Sequence, residues 1–282
     1  MHNLFALPQT PPPVPVESLP FPEWFPFFMH WKTPLTIALV YAVAVKYINT
    51  KQPDGVSRVQ AKQLDKPVSA SRLQQSSLFT AFVFLHNLAL CVYSAMTFMG
   101  VMPVVVRELS RKPLLTVVCD REQIIWHDAM YYWGYLFYLS KFYEVIDTII
   151  ILLKGRKSST LQTYHHSGAM ICMWAGIQFQ AMPIWLFVIL NSFVHTIMYF
   201  YYMCTSIGIH PPGKKYITTL QITQFLVGIT SATSFYFFSG CPISTGSAFA
   251  IWMNIIYLFP LTYLFVDFAV KIYSKRSKAK SA

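Results

Sequence analysis

The feature that most constrains this chain is a recurrent alternation of long apolar runs with short basic loops. About 20 largely apolar residues are needed for one helix to cross a bilayer. Runs that meet or approach this length recur near 34–49, 77–101, 129–153, 164–180, 183–206, 216–238 and 246–272. The expectation is an all-α membrane protein of about seven transmembrane helices in one bundle. Composition agrees. Only 12% of the 282 residues are charged and 55% are hydrophobic, whereas soluble domains carry about a quarter charged residues. Mean hydropathy is +0.43.

A net charge of +11 would by itself suit a nucleic-acid partner. The placement of the charges argues against one. Basic residues collect after the first run (Lys51, Arg58, Lys62, Lys66, Arg72), after the third (Lys154, Arg156, Lys157), after the fifth (Lys214, Lys215) and in the tail (Lys271, Lys275, Arg276, Lys278, Lys280). Loops near 181 and 239–245 have none. The loop 102–128 is an exception, with Arg107, Arg111, Lys112 and Arg121 offset by Glu108, Asp120, Glu122 and Asp128. The bias places the N-terminus outside and the C-terminus in the cytosol. No basic n-region precedes an apolar core at the start, so no cleavable signal peptide is expected. The chain divides into a Pro-rich lumenal arm (1–33), a membrane domain (34–272) and a basic cytosolic tail (273–282). Lys278 and Lys280 resemble a dibasic signal for retrieval to the endoplasmic reticulum. An ordinary basic tail at an anionic leaflet explains them equally.

The five cysteines have no C-x-x-C spacing, so no zinc or redox motif is present. Cys91, Cys172 and Cys204 fall in apolar runs and suit core packing. Cys119 and Cys241 fall in two loops assigned to the lumen, which makes them a candidate disulfide.

Chemistry must come from polar residues inside the apolar runs, because charge in hydrocarbon costs a few kcal/mol per group and is seldom retained without a protein-facing role. In the third run, Lys141, Glu144 and Thr148 share one helix face, with Asp147 slightly further round;. Lys141 and Glu144 at i and i+3 can neutralise each other. They are either a structural ion pair or, with Asp147, a device that positions substrate or a histidine. In the fourth run, Gln162, His165 and His166 can face one cavity. An imidazole there can be nucleophile, base or ligand. In the fifth, Asn191, His195, Met198, Tyr199 and Tyr202 share a sector;, although tyrosines at a membrane end are often an interfacial belt. Thr218, Gln221 and Gln224 repeat at i+3 in the sixth, as interhelical glue or as a cavity wall. His86-Asn87 reads better as core packing. Eight histidines in all, four of them in tails or loops (His2, His30, His127, His210), are too few for histidine-rich di-iron coordination. No metal is expected.

In this order the motifs resemble the ELO family of fatty-acid elongases, condensing enzymes of the endoplasmic reticulum. K-x-x-E-x-x-D-T is Lys141–Thr148, N-x-x-x-H-x-x-M-Y-x-Y-Y is Asn191–Tyr202, and T-x-x-Q-x-x-Q is Thr218–Gln224. The family's H-x-x-H-H box departs to Q-x-x-H-H, with Gln162 first. That variant is similar to elongases of fungi, algae and other lower eukaryotes that act on polyunsaturated or related C18-type chains. Gln keeps a donor and an acceptor but cannot carry a proton, so its expected role is orientation.

The resemblance implies condensation of a long-chain acyl-CoA, about C16–C20 and mono- or polyunsaturated, with malonyl-CoA. It also implies six helices forming a barrel-like bundle around an acyl-CoA tunnel. By position His165 would carry the acyl group, with His166 and Gln162 tuning it and His195 with Asn191 stabilising an enolate or oxyanion. Direct Claisen attack with a histidine as base is the rival mechanism. Lys154, Arg156, Lys157, Lys214 and Lys215 could receive the CoA phosphates, though positive-inside topology also explains them. No cofactor is implied. Expected partners are membrane lipid, the reductases and dehydratase of the elongation cycle, and a second copy of the chain. A lipid transporter or channel, or a non-catalytic membrane scaffold, would be the readings from other classes.

Overall fold

The computed structural model describes residues 15–52, 76–238, 241 and 243–278, with side chains described as far as 273. The first residues of the Pro-rich arm, most of the basic loop after Lys51, Lys280 and the side chain of Lys278 lie outside the described residues. Among those described, the chain is helical and holds no strand.

Two short 3-10 turns, Val16–Ser18 and Pro22–Trp24, lead into α1 (Phe25–Met29) and α2 (Lys32–Lys51). Next come α3 (Ser77–Leu109) and the short α4 (Leu114–Cys119). A π-helical segment, Trp126–Gly134, continues into α5 (Tyr135–Tyr143) and α6 (Val145–Leu153). The last four are α7 (Thr160–Gln178), α8 (Ile184–Ser206), α9 (Lys214–Ser234) and α10 (Thr245–Lys278).

Among the described residues, three helices are long and apolar enough to cross a membrane: Ser77–Leu109, Ile184–Ser206 and Thr245–Tyr273. Pro22–Met29 with Lys32–Lys51 passes as a fourth if the pair, bent by 70°, is one element. The polar groups that α7 and α9 carry, Gln162, His165 and His166 in one and Thr218, Gln221 and Gln224 in the other, lower the hydropathy of runs the sequence marked as spans.

Boundaries also differ from expectation. The second run extends to Leu109 although Pro103 lies within it. The third run is not one regular helix. It opens as a π segment and is interrupted at Glu144, which separates α5 from α6. Ser140 Oγ donates to Glu144 Oε1 at 3.1 Å, so a carboxylate is seated at the break.

Helix starts have local causes. Ser159, extended, accepts from the Gln162 N–H at 3.1 Å and caps α7;. Asp120 ends α4 in the left-handed region (φ 37°). Its carboxylate accepts from the N–H groups of Ile125 and Trp126, each at 3.1 Å, and so starts the next helix;. Burial pushes the Asp120 carboxyl up, opposed by those N–H donors. Beside it Cys119 is disulfide-bonded to Cys241, Cα–Cα 5.0 Å.

The packing partners are α3 with α8, α8 with α9, α9 with α10, α10 with α7, α7 with α5, and the π segment with both α5 and α3. Helix α2 lies against α7. The largest apolar cluster centres on Trp126, Met130, Tyr135, Tyr138, Met173 and Trp185. The arm before α2 docks onto it: Tyr138 donates to the Phe28 carbonyl at 2.7 Å and Trp174 to the Met29 carbonyl at 2.8 Å. At its other end α2 is tied to the turn before α7 by a reciprocal pair. Asn49 Nδ2 donates to the Ser158 carbonyl and Asn49 Oδ1 accepts from the Ser158 N–H, both at 2.9 Å.

Candidate active site

Every polar motif in the central runs points a side chain into the interior shared by α3, α5, α6, α7, α8 and α10. Lys141 and Glu144, the ends of one helical turn, are both 3% exposed. Lys141 Nζ donates to Glu144 Oε1 at 2.6 Å and lies 3.9 Å from the Phe137 ring centroid. It also donates to Asn191 Oδ1 at 3.4 Å. An ammonium can only donate, so the Asn191 amide presents Nδ2 to its other neighbour, His195 Nε2, at 3.3 Å;. His195 Nε2 is therefore an acceptor, and the ring proton sits on Nδ1. A lysine on α5 thus sets the tautomer of a histidine on α8.

On α7, Gln162 Nε2 lies 2.8 Å from His166 Nε2 and 3.4 Å from Thr148 Oγ1. Thr148 in turn bonds the Tyr41 hydroxyl at 2.7 Å. This places Gln162 as an orienting donor. His166 is buried, whereas His165 is half-buried. The His165 ring stands 5.2 Å from His166 and 6.5 Å from His195, centroid to centroid. Its Nδ1 is 3.0 Å from the Tyr257 hydroxyl.

Asp147 faces a separate pair of partners. His86 Nε2 is 2.8 Å from Oδ1, and Tyr199 donates to Oδ2 at 2.7 Å. Tyr199 packs edge-on against His195 at 5.5 Å. His86 is buried, as a packing residue would be, but it also extends this polar chain to α3.

Not every sequence candidate joins the cluster. Tyr202 is 42% exposed. Thr218 pairs with the Tyr273 hydroxyl at 3.2 Å, and Gln221 donates to Met198 Sδ at 3.2 Å; both are contacts between helices. Gln224 is buried with its Oε1 unpartnered. Lys214, Lys215, Arg156 and Lys157 are exposed, and Lys154 is half-buried. Burial, then the Arg156 charge, holds Lys154 below the usual ammonium range.

Glu144, His165 and His195 bring potential ligand atoms within 4.8 Å of one another. The Lys141 ammonium on the same carboxylate already supplies the positive charge that a cation would bring. Glu144 Oε2 is buried with no hydrogen-bond partner among the described residues.

Sequence reasoning did not single out Tyr41 or Tyr257. Neither belongs to a spaced motif, and each reaches the site across about 100 residues of chain.

Next to this cluster, one residue on from Tyr257, an apolar pocket open on one side is lined by Ala181, Pro183, Phe187, Gly228, Ala232 and Leu258, among others. Asn254 is its polar contribution from α10. Leu258 follows Tyr257 directly, and the lining continues along α10 to Ile251. At 1.5 Å per residue that is about 10 Å beyond the histidine level.

Two histidines from separate helices beside a buried ion pair, set among apolar helices and next to an apolar pocket, define a membrane-embedded enzyme. The sequence pattern of the ELO: GNS1/SUR4 family matches residues 26–281, and the chain belongs to that family. It is 34% identical over 208 residues to fatty acid elongase A of Dictyostelium discoideum, covering 71% of this chain and 74% of that protein. It is 28% identical over 229 residues to fatty acid elongase 2 of Trypanosoma brucei brucei, covering 76% and 84%. With fatty acid elongase 2 of Trypanosoma cruzi it shares 28% over 221 residues, 74% and 78% of the two chains. The protein is an enzyme of fatty-acid elongation.

Proposed function

We propose that the protein condenses a long-chain acyl-CoA with malonyl-CoA through an acyl group carried on His165. The observation that carries this reading is the meeting of His165 and His195, 6.5 Å apart, beside a buried Lys141–Glu144 pair. His165 Nε2 has no hydrogen-bonding side chain among the described residues. It attacks the thioester carbonyl, and CoA leaves as a thiolate. Malonyl-CoA then loses CO2, and the resulting enolate carbon attacks the acyl carbonyl. Its electrons return to His165, and a 3-oxoacyl-CoA two carbons longer is formed. His195 offers its Nδ1–H to the oxygen on which charge develops. Gln162 holds His166, and Glu144 Oε2 counters positive charge on the acylated ring. Neither metal nor redox cofactor enters this scheme.

In the same reading seven helices span the bilayer. Six of them (α3, π–α5–α6, α7, α8, α9 and α10) enclose the acyl tunnel, with α2 outside against α7, and the arm and tail flank this one membrane domain. The pairwise packing of neighbouring helices supports that arrangement. The disulfide at the Cys119 end supports a lumenal side there, since disulfides persist in oxidising compartments. The opposite end, with Lys154, Arg156, Lys157, Lys214 and Lys215, receives CoA from the cytosol. The protein would lie in the endoplasmic reticulum, work with the reductases and dehydratase of the cycle, and be able to self-associate. The cavity beside Leu258 takes the distal part of a C16–C20 mono- or polyunsaturated chain, the class suggested by the Q-x-x-H-H box.

Microsomes containing the protein, given labelled malonyl-CoA and C16–C20 acyl-CoAs without NADPH, should yield 3-oxoacyl-CoA, and His165→Ala should abolish it. With malonyl-CoA withheld, mass spectrometry should find an acyl adduct on His165. Activity without an adduct would instead establish direct Claisen attack.

A further inference from the structure

Tyr257 reaches His165 in two ways at once. Its hydroxyl lies 3.0 Å from His165 Nδ1 and 2.9 Å from the carbonyl oxygen of the same residue. A phenol has one proton to give, and a carbonyl oxygen can only accept. Both contacts are satisfied in one way: the hydroxyl donates to the carbonyl and accepts from Nδ1–H. The reverse choice, a hydroxyl donating to a bare Nδ1, would leave two oxygens facing each other at 2.9 Å with no proton between them.

The tyrosine is itself held for this task. Its ring stacks on Tyr164 at 5.5 Å and 25°, and Tyr164 donates to the Tyr257 carbonyl at 3.2 Å. On its other side Gly168 leaves the room it needs, because a Cβ there would collide with the Tyr257 ring. Gly168 lies one turn from His165 on α7, so the missing side chain and the imidazole are part of one surface.

We propose that Tyr257 is a positioning residue that fixes His165 in the Nδ1–H tautomer and so leaves the Nε2 lone pair free to attack the thioester. The kinetic part of this rests on the reading of His165 as nucleophile; the tautomer itself does not. Without the phenol, the ring is released to place its proton on Nε2, the atom that must be bare. In other enzymes, loss of the group that holds a histidine tautomer costs up to about 10⁴-fold when that group is a carboxylate. A neutral phenol should cost less, on the order of 10- to 100-fold.

The test uses the full chain in lipid, labelled with ¹⁵N-histidine, with the His165 signals assigned by their loss in His165→Gln. Magic-angle-spinning spectra of the wild type should place the proton of His165 on Nδ1. Tyr257→Phe, which keeps the ring and its packing, should move part or all of the population to Nε2–H. The same variant should lower kcat 10- to 100-fold with KM for acyl-CoA nearly unchanged. Gly168→Ala, with the hydroxyl present but displaced, should shift the tautomer in the same direction. A wild-type His165 already protonated on Nε2, or a tautomer indifferent to Tyr257→Phe, would overturn the proposal whatever the activity. A Tyr257-dependent Nδ1–H tautomer in a protein that forms no acyl adduct would uphold the positioning role and remove the acyl-histidine reading instead.

Discussion

His86 on α3 and Asp147 on α6 meet at 2.8 Å inside the bundle, with the imidazole Nε2 on Oδ1 and the Tyr199 hydroxyl on Oδ2. Both carboxylate oxygens are thereby used, and three helices are joined at one residue. Removing one member of such a buried set leaves the others without a partner, which costs about 3–5 kcal/mol. Asp147→Ala should therefore lower the melting temperature of purified protein markedly. Asp147→Asn should cost less, because its amide oxygen can still accept. Equal melting temperatures for Asp147→Ala and wild type would mean that the cluster does not tie the helices together.

Gln162 supplies the second prediction. Its amide nitrogen meets His166 Nε2 at 2.8 Å, so what matters is a donor at that point rather than a proton that can leave. Gln162→His should retain most activity. Gln162→Ala should lower kcat roughly tenfold, in keeping with the loss of one hydrogen bond. Gln162→Glu, which when ionised can only accept, should be worse than Ala despite its shape. Activity rising in the order Ala, Glu, His would contradict the donor role.

The sequence made some of this legible and concealed the rest for physical reasons. Lys141, Glu144, Gln162, His165, His166, Asn191 and His195 stand out because ionisable and amide groups are costly in apolar runs, so their presence there already points inward. The helix content follows from the apolar runs themselves. Tyr257 could not be found in this way: it is one of 17 tyrosines, and nothing local separates a tyrosine that holds a histidine from one that lines a membrane interface. Tyr41 and Thr148 are joined only by tertiary packing, 107 residues apart. His86 looked like core because its partner Asp147 lies 61 residues away. The π segment and the interruption at Glu144 were likewise hidden, since hydrophobic periodicity does not register one extra residue per turn.

The Lys141–Asn191–His195 chain yields a third prediction. Asn191→Asp keeps an acceptor for Lys141 but replaces the donor to His195 Nε2 with an oxygen. The fold should survive, and kcat should fall by on the order of 10²-fold, the range seen when one preorganised donor system is lost. Binding of a non-hydrolysable acyl-CoA analogue should change little. A variant that loses affinity while keeping its turnover would place Asn191 in substrate binding instead.

Cys119 and Cys241 close a loop of 122 residues. Long cross-links restrict the unfolded chain most, and loss of a native disulfide typically costs 2–5 kcal/mol in small domains, so about 2 kcal/mol or more is expected here. Tryptic peptides containing the two cysteines should co-migrate without reductant and separate with it. Cys119→Ser and the double variant should show the same reduced thermal stability. Free thiols at both Cys119 and Cys241 in freshly purified protein would rule the bridge out.

The cavity beside Leu258 gives the last prediction, which concerns product length. Gly228 lies on its wall, and a Cβ at that position would meet Leu258 at 3.6 Å and Phe187 at 3.9 Å, ordinary contact distances. Gly228→Ala should thus fold and leave products unchanged. Gly228→Leu would project into the space proposed for the distal carbons of the chain. A hydrophobic pocket discriminates by roughly 10- to 200-fold per methylene it can no longer accommodate. The variant should therefore stop one or two cycles earlier in cells, with shorter acyl-CoAs still condensed at the wild-type rate. Rates on short acceptors matter because they separate a filled tunnel from a damaged active site: neither His165 nor Tyr257 lines the pocket that Gly228 borders. If Gly228→Leu slowed every acceptor equally, the cavity would not be the end of the tunnel. If it lengthened products, the chain would run along a different seam of the bundle.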